Sequence, residues 1–391
     1  MTKVKERPDH EKRHENEITS RQYDLIRSLP GTVSAHIEPA DFQIPVSEYL
    51  DTSRYEKELE RIFFKLPVLI AVSADLPEPG SFCRRDFLGV PVLLTRDPAG
   101  KVSAFLNVCT HRGMVLCPGH ETGKGRLMTC PYHAWSFSLD GRLVGVPREQ
   151  IFKDLDKDAH KLRKLECVES GGLIWVGLDR EQKPDFGDVV GALEEDLDAL
   201  QISRMHLFKF GTYEVNANWK LVMDSMLDTY HVVRLHKNTL AKYFTDAPTV
   251  TRSIGPHLVS AAGRANFDNS EVNRSLPDIR ELAVLTYNLF PNGIVVLSPD
   301  YVSVAILRPV DIGKTNVEYI MLSNGRPADE AMEKKLNKSF ALMDAAFGNE
   351  DFWAAELGQE GLKSGALDYL LLGGMETQMK DFHDTINSLI D

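Results

Sequence analysis

Two short segments, each with one cysteine and one histidine, constrain this chain more than any other feature. The first is C-x-H at Cys109 and His111, and the second, after eighteen intervening residues, is C-x2-H at Cys130 and His133. Zinc modules usually have two cysteines in one segment and two histidines in the other, as C-x2-C and H-x3-H, because each half then closes around one ion. A [2Fe–2S] cluster with two thiolates on one iron and two neutral histidines on the other needs a Cys and a His from each of two loops. The pattern therefore predicts a redox protein, with a zinc site of unusual spacing as the alternative.

The words CTHRG at 109–113 and CPYHAWSF at 130–137 resemble the cluster loops of Rieske proteins. Each segment is predicted to be a loop, since a β-rich run over 102–108 precedes the first and Pro131 stiffens the tip of the second. The resemblance implies that both Cys and both His of these loops hold a Rieske cluster. Other candidate ligands lack the spacing and are interpreted as bystanders or packed thiols: Cys83, Cys117, His120 and Cys167.

A second group of metal-binding residue types occupies the segment 218–236. Apolar residues recur there at three- and four-residue steps from Trp219 onward, which predicts a helix. Asp228 and His231 are three residues apart and are predicted to share one face of that helix. His236 lies about 140° further around an ideal helix, so it can reach the same ion only if the helix bends or ends between the histidines. Two histidines and a carboxylate on one face of ferrous iron leave positions open for O2 and substrate.

This segment resembles the mononuclear iron motif of Rieske non-haem iron oxygenase α subunits, which reads N-W-K, then Glu-Asn, then D/E-x-Y-H-x4-H. The chain matches the first and last parts at 218–220 and 228–236, but has Asp224-Ser225 in place of Glu-Asn. The resemblance implies that His231 and His236 bind iron, and the departure affects the family's active-site Asn rather than the iron ligands. Two structural histidines are the alternative.

The third iron ligand has to be a carboxylate from elsewhere in the chain. The stretch 347–365 resembles the family signature E-D-x4-E-x2-Q-x-G-L-x-S-G, whose Asp binds iron in naphthalene dioxygenase-like members. The resemblance thus implies Asp351, with Glu350 and Glu356 as fallbacks. Without the resemblance, this acidic cluster would be interpreted as the start of a helix, where carboxylates interact favourably with the positive end of the helix dipole.

The resemblance also implies a role for Asp228, because the corresponding acid bridges a Rieske histidine of one subunit to an iron-ligand histidine of the next. Carried over, His133 of one subunit would bond to Asp228 of its neighbour, which in turn holds His231. Such a bond also fixes the tautomer of the ligand histidine. A head-to-tail ring follows, either a homotrimer or an α3β3 assembly. A local ion pair is the alternative role for Asp228.

Composition sets limits on the partners and the compartment of the protein. Forty-three per cent hydrophobic and 26% charged residues are ordinary for a globular protein, and the net charge of −12 argues against nucleic acid or an anionic membrane as partner. No apolar run approaches the ~20 residues of a membrane span, and the charged tail at 1–16 lacks the apolar core of a secretory signal. Five cysteines, two of them assigned to a cluster, suit a reducing cytoplasm.

The pattern of strands and helices predicts an α+β protein: an all-β Rieske [2Fe–2S] domain joined to a catalytic domain of helices on an antiparallel sheet. The resemblance implies the helix-grip form for the catalytic domain. The predicted divisions are an N-terminal tail with helices packed on the catalytic domain, the Rieske domain and the mononuclear iron domain, at 1–64, 65–181 and 182–391. The predicted strands are 68–72, 91–95, 102–108, 173–178, 206–215, 293–298, 302–307 and 316–322, and the predicted helices are 55–65, 328–347 and 374–390.

The resemblances imply the terminal component of a multicomponent oxygenase, which hydroxylates a small aromatic compound, for example an aromatic acid, with O2. No G-x-G-x-x-G follows a strand, so electrons from NAD(P)H would arrive through a separate reductase, with or without a ferredoxin. The alternatives are an oxygenase acting on a quaternary ammonium compound or by demethylation, and a non-catalytic Rieske electron carrier. Expected pocket walls are Met223, Met226, Leu227 and Trp353, and the candidate anchors for a substrate carboxylate are Arg234 and Lys237, for which a solvated basic face is the alternative.

Overall fold

A computed structural model describes residues 18–30, 37–119, 122–246, 249–268, 272 and 276–391. The charged tail predicted at 1–16 and the bystander His120 lie outside these residues. The helices are α1 Ser20–Arg27, α2 Ser47–Leu50, α3 Thr52–Glu58, α4 Phe186–Val189, α5 Glu194–Leu200, α6 Trp219–Leu227, α7 Val232–Leu235, α8 Leu276–Leu282, α9 Glu330–Ala346, α10 Phe352–Lys363 and α11 Thr377–Ile390. Single π-helical turns occupy Leu59–Phe63 and Phe347–Asp351.

Some strands are buried along their whole length, such as Val68–Val72, and others alternate between buried and more exposed residues, as over 314–317. They are β1 Phe42–Pro45, β2 Val68–Val72, β3 Ser81–Phe87, β4 Val90–Arg96, β5 Val102–Leu106, β6 Gly123–Lys124, β7 Leu127–Thr129, β8 Ser136–Ser138, β9 Leu143–Gly145, β10 Lys164–Leu165, β11 Cys167–Ser170, β12 Leu173–Val176, β13 His206–Val215, β14 Val250–Ile254, β15 His257–Gly263, β16 Ala283–Leu289, β17 Gly293–Leu297, β18 Tyr301–Asp311, β19 Lys314–Ser323 and β20 Tyr369–Leu372. No helix among the described residues is long and apolar enough to cross a bilayer.

Three small antiparallel sheets form the N-terminal half of the protein. Their strand orders are β10-β5-β4-β3-β6, β7-β8-β9 and β11-β12-β2. Aromatic and aliphatic side chains, among them Phe105, Trp135 and Phe137, form a separate apolar core that includes the buried thiols of Cys109 and Cys130. The two cluster loops are therefore anchored in a core of their own.

The C-terminal half is built on one seven-stranded antiparallel sheet of order β13-β19-β18-β17-β16-β15-β14. Strands β14 to β19 pair with their chain neighbours, and β13 adds to the outer edge of β19. Helix α6 packs on β18 and β19, while α10 and α11 pack on α6. Sheet and helices together confirm the predicted α+β class and enclose a cavity, described below.

A buried ion pair joins the N-terminal helices to α6. The ammonium of Lys220 donates to both oxygens of Glu58 at 2.6 Å, and neither side chain is exposed to solvent. Trp219 donates its indole N–H to the same carboxylate at 2.9 Å. Removing one partner of such a pair leaves an uncompensated buried charge and typically costs about 3–5 kcal/mol, so this contact fixes where α6 begins.

A second buried network fixes the middle of α6 to the last helix of the chain. His383 on α11 lies between Asp224, whose Oδ1 is 3.1 Å from its Nε2, and Glu48, whose Oε2 is 2.8 Å from its Nδ1. Tyr49 donates its hydroxyl to Asp224 at 2.7 Å. Burial lowers the pKa of His383, but the two carboxylates act more strongly and raise it to about 9. Asp224, which stands in the family's Glu-Asn position, thus has a buried imidazolium as its partner.

The predicted strands and helices agree with the observed ones, and two of them, 68–72 and 206–215, have the observed bounds. One error concerns the helix from Trp219, which was expected to include Asp228 and His231. It ends at Leu227, because Asp228 takes an extended backbone conformation with ψ of 135°. The prediction that Asp228 and His231 share a helix face is therefore wrong, and their contact arises differently.

The charged state of His383 makes stability depend on pH. A histidine whose pKa rises from 6.5 in the unfolded chain to about 9 in the folded protein stabilises fully below pH 6.5 and loses that contribution as pH rises through 9. We expect the free energy of unfolding to fall by up to about 3 kcal/mol over this interval, as measured by denaturant titration. His383→Gln should remove this part of the slope. An unchanged slope in the variant would contradict the assignment.

Candidate metal centres

The two cluster loops have the same backbone turn. In the first, the N–H of Cys109 donates to the carbonyl of Met114 at 2.7 Å, and Gly113 donates back to Cys109 at 3.0 Å. In the second, the N–H of Cys130 donates to the carbonyl five residues on at 2.8 Å, and Ala134 donates back to Cys130 at 3.0 Å. Gly113 and Ala134 both have positive φ, 74° and 56°. Ala134 carries a Cβ in a conformation that favours glycine, so the turn is imposed by its surroundings.

The side chains of the loops come together as two thiols and two imidazoles. Cys109 and Cys130 are each 2% exposed, and the rings of His111 and His133 lie with centroids 4.7 Å apart. The indole of Trp135 stacks on His111 at 4.6 Å and holds the plane of that ring. Both imidazoles are half-buried, which leaves an edge accessible to an electron-transfer partner.

The spacing of these four ligands argues against a single zinc ion. Four ligands of one tetrahedral zinc lie within about 4 Å of one another. Among the described residues, the one set of three or more His, Cys, Asp or Glu side chains whose ligand atoms all lie within 4.8 Å of each other contains none of these four. A cluster of two irons accommodates the wider spacing. Cys83 is buried as predicted, and Cys117 is half-buried with its backbone bonded to Asn107, at 2.8 and 2.9 Å.

The second centre begins where α6 ends. Asp228 turns the chain out of the helix and accepts the N–H of Tyr230 on Oδ1 at 2.6 Å, while its Oδ2 lies 2.9 Å from Nδ1 of His231. His231 precedes the single turn α7, and His236 ends it with a non-helical ψ of 34°. The sequence required a bend or an end of the helix between the histidines, and the helical turn α7 that separates them ends at Leu235.

Asp351 reaches the two histidines from the other end of the fold. It is the last residue of the π-helical turn between α9 and α10, where one extra residue changes the direction in which the side chain points. Its Oδ1 lies 3.3 Å from Nε2 of His231 and 3.2 Å from Nε2 of His236. That oxygen is buried and accepts no hydrogen bond from a described residue. Three ligand atoms converge here, and one of them is a buried oxygen without a hydrogen bond, which fits a bound cation.

The other ring nitrogens are held by carboxylates. Nδ1 of His231 faces Asp228 at 2.9 Å, and Nδ1 of His236 faces Glu350 at 2.6 Å. A carboxylate beside Nδ1 makes that nitrogen the protonated one and leaves the lone pair on Nε2 for a metal. Burial lowers the pKa of His231, but Asp228 and Asp351 act more strongly and raise it to about 9. This site therefore attracts positive charge.

The three candidate carboxylates of the C-terminal signature have different surroundings. Asp351 faces both histidines, whereas Glu350 holds the outer nitrogen of His236 and accepts the hydroxyl of Thr239. Glu356 accepts from the backbone and side chain of Asn216, at 2.8 and 2.9 Å. The role of Glu350 behind His236 was missed, because adjacent carboxylates cannot be distinguished by spacing.

A cavity of about 450 Å³ opens beside the second centre, between α9 and the concave face of the large sheet. Its lining includes Asp228, His231, His236 and Asp351. Of the expected walls, Met226 lines it, whereas Met223 and Leu227 are buried in the core and Trp353 is 51% exposed. The aromatic lining residues, which the sequence analysis missed, are Tyr243, Phe244, Tyr301 and Phe347.

The basic residues beside His236 do not line this cavity. Arg234 is 46% exposed and pairs with Asp246 at 3.0 Å. The role of substrate anchor considered for Arg234 and Lys237 is therefore wrong, and a solvated basic face describes them better.

Geometry thus defines the class of the protein: a two-thiolate, two-imidazole cluster domain joined to a two-histidine, one-carboxylate centre. Residues 67–156 match the family model for the Rieske [2Fe-2S] domain, and residues 202–391 match the ring hydroxylating α subunit (catalytic domain). The chain belongs to the Rieske non-haem iron oxygenases and has the two domains of their α subunits. In this family the first domain carries a [2Fe–2S] cluster and the second a mononuclear iron.

Several curated relatives are named for small non-aromatic substrates. The α subunit of methanesulfonate monooxygenase from Methylosulfonomonas methylovora is 28% identical over 74% of this chain and 74% of its own length. Choline monooxygenase from Spinacia oleracea is 33% identical over 56% of this chain and 51% of its own, and carnitine monooxygenase from Escherichia coli is 31% identical over 57% and 58%. The matched segments thus span about half the length of several relatives.

Solved structures share the fold at lower identity. The quaternary ammonium Rieske monooxygenase CntA superposes with a TM-score of 0.78 at 22% identity, covering 89% of this chain and 95% of its own. Naphthalene 1,2-dioxygenase from Rhodococcus superposes with a TM-score of 0.75 at 19% identity, covering 95% and 98%. Enzymes with very different substrates therefore share this fold.

Removing the carboxylate behind His236 should weaken metal binding without removing a metal ligand. We expect Glu350→Gln to reduce Fe(II) affinity by about 10–100-fold, because its amide holds Nδ1 without a negative charge. Anaerobic Fe(II) titration measures this. Glu360→Gln changes an exposed carboxylate on the following helix and is the matched control. Equal affinities in the two variants would contradict the role given to Glu350.

Proposed function

We propose that the protein is the terminal oxygenase component of a multicomponent system, which uses O2 and externally supplied electrons to hydroxylate a small molecule held in the cavity. The observation that carries this proposal is that His231, His236 and Asp351 face one another at the wall of that cavity. Two histidines and one carboxylate occupy one face of a metal ion and leave the other face open. A ferrous ion there would supply O2 activation.

In this proposal the chain's own residues have distinct tasks. Cys109, His111, Cys130 and His133 hold the cluster that receives electrons, and Asp228 and Glu350 orient the imidazoles of the iron ligands. The aromatic and aliphatic walls keep bulk water from the reacting centre and hold the substrate beside it. A non-catalytic electron carrier is disfavoured, since it has no use for a histidine–carboxylate triad that opens onto a cavity.

Electrons have to reach the cluster from a separate reductase, and we propose that they then cross between subunits. Asp228 uses one oxygen for His231 and the other for the N–H of Tyr230. Each carboxylate oxygen can accept a second hydrogen bond, and the side chain stays 16% exposed, so it can accept one from His133 of a neighbouring copy. Inter-subunit electron transfer is described for CntA. A head-to-tail ring of three copies satisfies this contact for every subunit.

The names of the relatives favour a small non-aromatic substrate, as in the alternative given above, over an aromatic one. Methanesulfonate, choline, glycine betaine and carnitine appear in their names, each with the word monooxygenase, and aromatic hydrocarbon catabolism has no support among them. We therefore propose monooxygenation of an aliphatic C–H bond. The aromatic side chains of the cavity and the fold shared with naphthalene 1,2-dioxygenase keep hydroxylation of an aromatic compound as the second candidate.

Metal analysis tests the two centres separately. We expect about three irons and two acid-labile sulfides per chain, and loss of one iron in His231→Ala with the reduced-state Rieske EPR signal intact. His206→Ala, which changes a histidine on β13 outside both centres, should keep all three. Two irons in both the native protein and the variant, at full loading, would leave an electron carrier, and zinc alone would overturn the proposal.

Hybrid assemblies test the path between subunits. His133→Ala disables the cluster and His231→Ala the iron site, so each variant alone should lack substrate-dependent O2 uptake. Co-expression should restore a fraction of the activity, because an intact cluster then neighbours an intact iron site in another subunit. Hybrids shown to contain both chains but as inactive as the single variants would contradict electron transfer between subunits.

A further inference from the structure

A half-buried cationic side chain faces the cavity and has no carboxylate partner among the described residues. Arg264 directly follows β15, where its N–H donates to the carbonyl of Leu282 at 2.9 Å and its backbone bridges to Phe244. Ala262, Gly263 and Arg264 all line the cavity. Arg264 is half-buried, and the guanidinium carbon lies 6.0 Å from the ring centroid of Tyr243.

The other charges in this part of the cavity do not offset Arg264. Asp300 is already paired with Lys335 at 2.7 Å, and Lys338 also lines the cavity, one helical turn further along α9. Apart from the acids at the metal centre, the described lining thus contains three cations and one carboxylate. Its electrostatic character is positive.

Arg264 belongs to a polar group distinct from the metal centre. Tyr243, Asp300 and Tyr301 line the cavity together with Arg264. Burial raises the pKa of Tyr301, whereas its hydrogen bond with Ser298 and the charge of Arg264 lower it. Asp228 and Asp351, by contrast, have the two histidines as their partners.

Tyr243, an aromatic side chain beside Arg264, is poorly suited to bind a quaternary ammonium. The ring of Tyr243 already has Lys242 Nζ at 5.0 Å from its centroid and the guanidinium of Arg264 at 6.0 Å. A cation binds such a ring through the negative face of its π system, and two positive groups nearby oppose a third. Asp300, the carboxylate in this polar group, is neutralised by Lys335.

We propose that Arg264 is an anion subsite, which binds a carboxylate or sulfonate group of the substrate while the alkyl part points toward His231, His236 and Asp351. The guanidinium offers several N–H donors in a plane and matches either head group. This inference rests on the proposed function for the identity of the reacting centre, but binding at Arg264 can be measured without turnover. Such a subsite distinguishes this cavity from one that binds choline-like cations.

Matched probes test the subsite by titration calorimetry of the iron-loaded full chain. Propane-1-sulfonate, butyrate and propyltrimethylammonium share an alkyl body and differ in the head group. We expect both anions to bind more tightly than the cation, and their affinity to fall in high salt. The anion with the higher affinity identifies the head group. Arg264→Gln should weaken anion binding at least about tenfold, and Arg264→Lys less. Arg234→Gln, an exposed arginine outside the cavity, should change nothing.

Two results would overturn the inference: tighter binding of the cation than of either anion, or unchanged anion affinity in Arg264→Gln. Because Arg264 lies at a strand end, thermal unfolding of each variant should accompany the titrations, and the retained charge of Arg264→Lys separates loss of charge from loss of structure. If the chain binds anions through Arg264 but holds no mononuclear iron, the result contradicts the proposed function and still supports the anion subsite.

Discussion

The rest of the catalytic domain depends on one constraint: a buried carboxylate oxygen and two imidazole nitrogens have to face a common point. Asp351 Oδ1 lies 3.2 and 3.3 Å from the two Nε2 atoms and accepts no hydrogen bond from a described residue. Converging electron-rich atoms repel one another, so such a set forms only where the fold holds its members or a cation occupies the space between them. The carboxylates behind the two imidazoles hold the rings in place. They also leave the Nε2 atoms directed at the space that a cation would occupy.

Two irregularities in helices make this convergence possible. A regular helix through both histidines would point His231 and His236 in directions about 140° apart, but the helical turn between them ends at Leu235 and His236 has a non-helical ψ of 34°. The extended backbone at Asp228 lets its carboxylate contact Nδ1 of His231. The π-helical turn before α10 similarly sets the direction of Asp351. Since neither irregularity stabilises the chain by itself, α6 has to be held by other contacts. The buried pairs of Lys220 with Glu58 and of Asp224 with His383 supply them.

The sequence predicts the parts of this protein that depend on local spacing. The cluster loops, the two histidines and most strands follow from motifs and alternation within about ten residues. The break at Asp228 does not, because the apolar period continues up to it without a Gly or Pro. Asp351 could be selected from the sequence through a resemblance alone, since its partners lie more than a hundred residues away. The cavity walls were predicted least well, because Tyr243 and Tyr301 reach them from separate segments whose approach is set by the sheet.

What the cavity accepts is decided by side chains that the shared fold leaves free to vary. The same architecture is found in a quaternary ammonium monooxygenase and in a naphthalene dioxygenase, so sheet and helices position a substrate without selecting it. In this chain, the end of strand β15 brings Arg264 to the cavity, and Asp300, a carboxylate of the same lining, is already paired with Lys335. A buried or half-buried cation without a counter-ion costs solvation free energy. A substrate that supplies the negative charge recovers that free energy on binding, whereas a cationic one adds to the cost.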